Sequence, residues 1–178
     1  KKETLTLSGE EFLGLVEKTT FAASKDDLKP ALTGVYINVE ENQMTAVATD
    51  GHKLVKYEKE ITNPQKTEQS IIIPAKFLNI LKNTIKETGD VIINVDEDHI
   101  TTKQKEFILI SRIIKEKFPD FNSVIPKENK IKASIETEGF ISCVKRVAIF
   151  SNRNTKQTIL NFNANGVVVS SEDLETAT

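Results

Sequence analysis

A chain of 178 residues, 38% hydrophobic and 28% charged, has room for one large domain or for one domain plus part of another. Its formal net charge of −2 confines any nucleic-acid surface to a local patch, and no apolar run approaches the ~20 residues needed to cross a bilayer. The single cysteine, Cys143, excludes an internal disulfide framework and fits a reducing compartment. With only His52 and His99 beside it, the chain is poor material for a structural zinc site, and neither metal nor cofactor is expected.

Residues 4–7 read as a first strand. Ser8 is a good N-cap for a helix to about residue 24, and Glu11 three residues later makes a capping box. Phe12, Leu15, Val16 and Thr19 form its inward face. A polar loop, 25–30, leads to strands at 31–39, 43–49 and 52–60, and 61–70 reads as a connector. A strand at 71–73 follows. Pro74 can then start a second helix over 75–88, with Phe77, Leu78, Leu81 and Ile85 inward and Gly89 as C-cap. Further strands are expected at 90–95, 99–103 and 106–114.

The plan recurs in letters as well as in pattern. Residues 35–45 (VYINVEENQMT) line up with 91–101 (VIINVDEDHIT), with six of the eleven positions identical. Residues 1–60 and 61–125 therefore read as two copies of a βαβββ unit. A linker at 125–130 opens a third copy. It has a strand at 131–135, a helix from Thr137 to about 151 with Phe140, Val144 and Val147 inward, and a hairpin over 160–169. The expected class is α+β, with helices on one face of antiparallel sheets. The expected domains are 1–126 and a partial one at 127–178, and the chain reads as a piece of a longer protein.

Three constellations could carry function. Asp50-Gly51 between alternating apolar runs is a hairpin signal of the type I′ kind, yet the turn also holds Asp50, His52 and Lys53, which a structural hairpin does not require. Read as chemistry, these give an alternative: a small α+β enzyme with His52 as general base. No nucleophile motif or glycine-rich phosphate loop accompanies them, and the seven glycines are scattered singly. On the second helix Lys76, Asn79, Asn83 and Lys86 share one face with Lys82 beside it. No acid occurs from 75 to 86, which suits phosphate contacts without sequence readout. Lys145 and Arg146 extend this on the third helix, followed by Arg153 and Lys156. The apolar strip 118–126, with Phe118, Pro119, Phe121 and Val124, reads as ordinary domain-end packing or as one wall of an interdomain groove.

Ala48-Thr49-Asp50-Gly51-His52-Lys53-Leu54 resembles the Ala-Thr-Asp-Gly-His-Arg-Leu signature of the bacterial replicative sliding clamps, the β-subunit family of DNA polymerase III. Lys117-Phe118-Pro119-Asp120-Phe121 resembles that family's Arg-Phe-Pro-Asp-Tyr segment, and residues 146–152 its third-domain helix end. The resemblance spans the chain: a middle domain, 1–126, and roughly the first half of a third.

It implies the DNA-clamp fold and a non-catalytic processivity factor. The full-length protein would be a ring-shaped homodimer around duplex DNA, cytoplasmic and nucleoid-associated during replication. Its partners would be the DNA polymerase III catalytic subunit, the clamp loader and other proteins with a clamp-binding motif. It implies a partner-peptide pocket using Lys29, Leu32, Thr49, Gly51, His52, Lys53, Leu54, Pro119 and Val124, and a DNA-facing side with Lys76, Lys82, Lys86, Lys145, Arg146 and Arg153. Lys53 stands where the family has arginine, which removes a planar, bidentate fork. Ser123 stands where some members have arginine. On the spacing of the repeat, the full-length protein is expected to extend about 120 residues upstream and about 70 downstream.

Overall fold

The structure, a computed structural model, describes residues 3–61 and 69–173. The chain divides into two compact units, Lys1–Ile125 and Pro126–Thr178. Most of the connector expected at 61–70 lies outside the described residues.

In the first unit, strand β1 (Glu3–Ser8) runs directly into helix α1 (Gly9–Thr19). The Ser8 hydroxyl accepts the Glu11 N–H at 3.1 Å, and the Glu11 carboxylate accepts the Ser8 N–H at 2.7 Å. This capping box satisfies two N–H groups that the helix start leaves open and is worth about 1 kcal/mol. Phe12, Leu15, Val16 and Thr19 are all buried, as their spacing requires. The helix stops at Thr19 and passes into a 3-10 turn over Thr20–Ala22, short of the expected residue 24. Thr19 and Thr20 donate their hydroxyls to the Leu15 and Val16 carbonyls at 2.7 and 2.9 Å, a competition with the backbone that loosens helix ends.

Strands β2 (Gly34–Glu40), β3 (Gln43–Thr49) and β4 (Leu54–Glu60) follow, then β5 (Gln69–Pro74), helix α2 (Ala75–Lys82), β6 (Asp90–Val95), β7 (His99–Gln104) and β8 (Phe107–Arg112). The strand expected from residue 31 begins at Gly34, because Pro30–Thr33 forms a 3-10 turn. Thr33 closes that turn by donating to the Pro30 carbonyl at 2.8 Å. Gly34 admits no side chain: a Cβ there would come within 2.6 Å of Ile72 Cγ2 and 2.8 Å of the Ile73 carbonyl oxygen.

The strands form two antiparallel four-stranded sheets, ordered β1-β6-β7-β8 and β4-β3-β2-β5. The two repeats therefore exchange their first strands, and neither βαβββ unit keeps its own. The registers match: Leu7 faces Val91 and Leu5 faces Ile93, while Ile73 faces Val35 and Ile71 faces Ile37. Because Val35 and Ile37 align with Val91 and Ile93, the two exchanges are equivalent. Val35, Ile37 and Val39 alternate inward on β2, as do Leu5 and Leu7 on β1 and Val91 and Ile93 on β6. They meet α1 and α2 in one continuous core.

Helix α2 ends at Lys82, six residues earlier than expected, so Gly89 is not its C-cap. Two contacts end it. Thr84 donates its hydroxyl to the Ile80 carbonyl at 3.0 Å. Buried Gln104 then takes both backbone groups of Lys86: Lys86 N–H donates to Gln104 Oε1, and Gln104 Nε2 donates to the Lys86 carbonyl, each at 2.9 Å. Gly89 instead turns the chain into β6 at φ +96°. Ile85 remains inward and buried.

The second unit holds α3 (Thr137–Val147) and the hairpin β9 (Ile159–Asn163) with β10 (Gly166–Ser170). Its N-cap is Glu136, one residue before the expected Thr137; the Glu136 carboxylate accepts the Glu138 and Gly139 N–H groups at 2.7 and 2.6 Å. Those bonds hold its pKa below the usual carboxylate range. Residues 131–135 do not form the expected strand. No strand lies beside them among the described residues, and an unpaired strand leaves its backbone groups without partners. Phe140, Val144 and Val147 are half-buried. No helix among the described residues is long and apolar enough to cross a membrane.

Leu81 is fully buried in the main core, whereas Ile108 stands 59% exposed on β8. Leu81→Ala is expected to destabilise the first unit by about 2–5 kcal/mol in urea unfolding, and Ile108→Ser to change it by only about 0.5 kcal/mol.

Candidate functional site

Alternation along β2 sends Val35, Ile37 and Val39 to the core, so Tyr36 emerges on the opposite face of the sheet. There it joins Val47 of β3 and Ile72 of β5, and the segment after β8 folds across them. Phe118, only 8% exposed, stacks on Tyr36 with ring centroids 5.4 Å apart and planes 27° from parallel. Phe121 packs at 5.9 Å from Tyr36 and meets Phe118 edge-on at 6.4 Å. Asp120 holds this turn by accepting the Asn122 N–H at 3.1 Å. Leu32 and Leu54 pack against the same cluster. The result is a small apolar centre outside the main core, built on β4-β3-β2-β5.

The loop that delivers Leu54 is longer than a two-residue type I′ turn. Thr49 pairs with Leu54, so Asp50, Gly51, His52 and Lys53 all lie in the connection, and the strand expected from residue 52 starts at 54. Thr49 Oγ1 donates to the Lys53 carbonyl at 2.7 Å and accepts the Gly51 N–H at 3.0 Å. Asp50 Oδ1 accepts the N–H groups of His52 and Lys53, both at 2.9 Å, and Asp50 Oδ2 pairs with the Lys53 ammonium. Gly51 sits at φ +93°, where a side chain is strained. The Lys53 ammonium and these two N–H groups hold the Asp50 carboxyl far below the usual carboxylate range.

The alignment of 35–45 with 91–101 puts Ala48 opposite Gln104. Ala48 pairs with Val55 across a six-residue gap, whereas Gln104 pairs with Phe107 across Lys105 and Glu106 alone. The first repeat thus carries four additional residues at this turn. The same alignment sets Tyr36 and Val47 against Ile92 and Lys103, both exposed. Among the described residues the second repeat has no matching aromatic cluster.

Of the pocket residues expected from the sequence, Leu32 and Leu54 come together in the cluster, and Thr49, Gly51, His52 and Lys53 form the loop beside Leu54. Lys29 caps the 3-10 turn that carries Leu32, and its side chain is exposed. Pro119 is exposed next to Phe118. Val124 closes the Phe121–Ser123 turn through its N–H but is 66% exposed and outside the cluster. Tyr36, Val47, Ile72 and Phe121 belong to this centre and were not among the expected pocket residues. The even-numbered face of β2 was the signal for Tyr36. A groove of about 850 Å³ continues beyond the aromatic rings, lined by Tyr36, Ile72, Ile114, Phe118, Pro119 and Phe121, among others.

The basic residues are exposed, with two changes from expectation. Lys82 is paired with Glu17 of α1 at 3.2 Å, so the acid-free run 75–86 meets an acid from another helix. Lys86 lies beyond the end of α2 and does not share a helix face with Lys76 and Asn79. Asn79 Oδ1 lies 3.2 Å from the Thr20 hydroxyl oxygen, and a groove of about 710 Å³ runs past Glu17, Lys76 and Lys82. In the second unit Lys145 and Arg146 occupy the last turn of α3, where a helix end favours cations. Arg146 Nη2 lies 3.1 Å from Cys143 Sγ, and Arg153 is exposed in the loop that follows. Among the described residues no three His, Cys, Asp or Glu side chains gather to hold a metal ion.

Comparison with known proteins bears on this geometry. A family model described as DNA polymerase III beta subunit, central domain, matches residues 6–120. The beta sliding clamp of Chlamydia pneumoniae is 29% identical over 157 residues, 88% of this chain and 43% of that protein. The beta sliding clamp of Halalkalibacterium halodurans is 31% identical over 148 residues, 82% of this chain and 39% of that protein. A crystal structure of the Pseudomonas aeruginosa DNA polymerase sliding clamp with ligand superposes with a TM-score of 0.85 at 23% identity, covering 97% of this chain and 48% of that one. The Bacillus subtilis sliding clamp gives 0.82 at 24%, covering 96% and 48%; at these identities the likeness speaks for the fold. The chain spans less than half the length of these relatives. The matched central-domain model covers well over half of the chain, which therefore belongs to the DNA polymerase III beta subunit family, the bacterial sliding clamps.

Proposed function

We propose that this chain is the middle domain, residues 1–126, and part of the third domain, 127–178, of a sliding clamp that encircles duplex DNA without catalysing a reaction. It confers processivity on the DNA polymerase and docks partner proteins through a linear peptide. The whole protein is a ring-shaped homodimer, cytoplasmic and nucleoid-associated during replication. Its partners are the polymerase III catalytic subunit, the clamp loader and other proteins bearing a clamp-binding motif.

The observation that carries this reading is the asymmetry of the repeats. The two repeats build equivalent four-stranded sheets, yet among the described residues only the first repeat's sheet carries the longer loop at Thr49–Leu54 and the Tyr36/Phe118/Phe121 cluster. A feature the fold does not need twice is available for recognition. Leu32, Leu54 and Pro119 supply the apolar floor for a partner's hydrophobic side chains. Thr49, Gly51, His52, Lys53 and Lys29 form its polar edge, and Val124 a flank. Short peptides bind such sites through a few buried apolar anchors.

On the helix side, Lys76, Lys82 and Lys86 contact the DNA backbone, joined by Lys145, Arg146 and Arg153 from the third domain. These contacts are to phosphate and independent of sequence, which is what a sliding ring requires. The Lys82–Glu17 pair lies at the surface, where such pairs are worth little, and a phosphate competes for the lysine.

Three outcomes test the reading. Leu54→Ala is expected to weaken a fluorescent clamp-binding peptide about tenfold or more, the cost of one buried anchor, by anisotropy titration; unchanged binding would remove the peptide site from this face. Reversing Lys76, Lys82 and Lys86 to Glu in the full-length protein is expected to reduce retention on primed circular DNA and flatten its salt dependence. Unchanged loading would sink the DNA-facing assignment. Because Asp50 has a depressed pKa, its contribution to the loop is present above the unfolded value of 3.8 and is lost only as pH falls through the lower folded value. The amide signals of His52 and Lys53 are therefore expected to keep their hydrogen-bonded shifts from neutral pH to below pH 4, about where a free aspartate half-titrates.

A further inference from the structure

In the proposed peptide site, a lysine beside Leu54 would be taken as a donor to the partner. The geometry points elsewhere. The Lys53 ammonium is turned back onto Asp50 Oδ2, within its own loop. The other oxygen of that carboxylate already accepts the N–H groups of His52 and Lys53. Asp50 therefore binds its loop at three points, two on the backbone and one on the side chain of the residue before Leu54. Thr49 closes the same loop from the other side, through the Lys53 carbonyl and the Gly51 N–H. The second repeat makes its turn with Lys105 and Glu106 alone, so these bonds serve the additional residues and not the hairpin itself.

We propose that Asp50 is the positioning residue of the peptide site, and that Lys53 acts on Asp50 and not on the partner. The pair forms a clasp across the loop. It fixes where β4 begins and hence the angle at which Leu54 enters the Tyr36/Phe118 cluster. This inference rests on the peptide-site reading and goes beyond it, because it reassigns one expected contact residue and adds one that was not expected. Lysine suits the role: a compact ammonium on a flexible stem can fold back three residues onto Asp50. Lys29, exposed at the start of the turn that carries Leu32, is a cation available to an acidic group of the partner.

The test is a double-mutant cycle on the full chain, read with a fluorescent clamp-binding peptide and with the amide spectrum of residues 49–54. Asp50→Asn and Lys53→Met are each expected to weaken the peptide about tenfold, the effect of losing one charge-assisted hydrogen bond. The double variant is expected to be no weaker than the worse single one, because both remove the same clasp. Both single variants should shift the same amides without peptide present, and Lys53→Arg should recover part of the affinity. The inference is overturned if Lys53→Met weakens binding while Asp50→Asn does not, or if the two losses multiply. Either result would make Lys53 a direct contact. If the unaltered chain binds no peptide, or Leu54→Ala changes nothing, the peptide-site reading itself fails. The free-state amide shifts still decide whether the clasp organises the loop.

Discussion

Everything in the first unit depends on the exchange of first strands. β1 pairs with β6 and β5 with β2, in matching register, so each sheet takes three strands from one repeat and one from the other. Each helix follows directly from an exchanged strand and is carried with it toward the neighbouring sheet. The buried faces of α1 and α2 then merge in one core reaching from Leu5 to Ile100. Neither repeat could bury its apolar face alone. The exchange also explains why the outward faces can diverge: the core fixes only one side of each strand, and the other side is available for Tyr36 in one repeat and Ile92 in the other.

That freedom has been used unequally. On the first repeat's sheet an aromatic turn folds back on Tyr36, and the longer hairpin loop stands beside it. Both devices are short-range. Asp120 caps its turn and Asp50 caps its loop, each with a carboxylate on nearby N–H groups. A rigid sheet with two self-bonded loops gives a preformed surface, which lowers the ordering cost a partner peptide must overcome. The Asp50 carboxylate and the Thr49 hydroxyl bond within the loop, so both are engaged before a partner arrives.

Much of this was legible in the sequence, wherever one element decides the outcome. The inward face of α1 followed from its period, and the Ser8–Glu11 box from two letters. The repeat was visible in 35–45 and 91–101. What was not legible involves residues distant in sequence. The end of α2 is set by Gln104, whose amide holds the backbone of Lys86 eighteen positions away. Strand exchange leaves no mark, since a period of two is the same whichever neighbour a strand has. The Asp-Gly pair misled in a definite way. It signals a two-residue turn by backbone preference, but Asp50 bonds through its side chain and so supports a wider loop. The strand expected at 131–135 has the right pattern and, among the described residues, no strand beside it; pattern alone does not make a sheet.

The exchange also sets an order of events during synthesis. Thr4 and Asn94, joined by a side-chain hydrogen bond at 2.8 Å, stand 90 residues apart in the chain. As the protein emerges from the ribosome, β1 has no partner until β6 has followed it out. The early chain must therefore hold an apolar strand and the inward face of α1 unpaired while more than half of the unit is still being made. Closing so long a loop before its contacts form is entropically costly and slows folding. The interval in which an open strand edge is exposed to other chains is correspondingly long. The same interlock that makes two repeats into one domain thus leaves its earliest strand waiting for one made some 85 residues later.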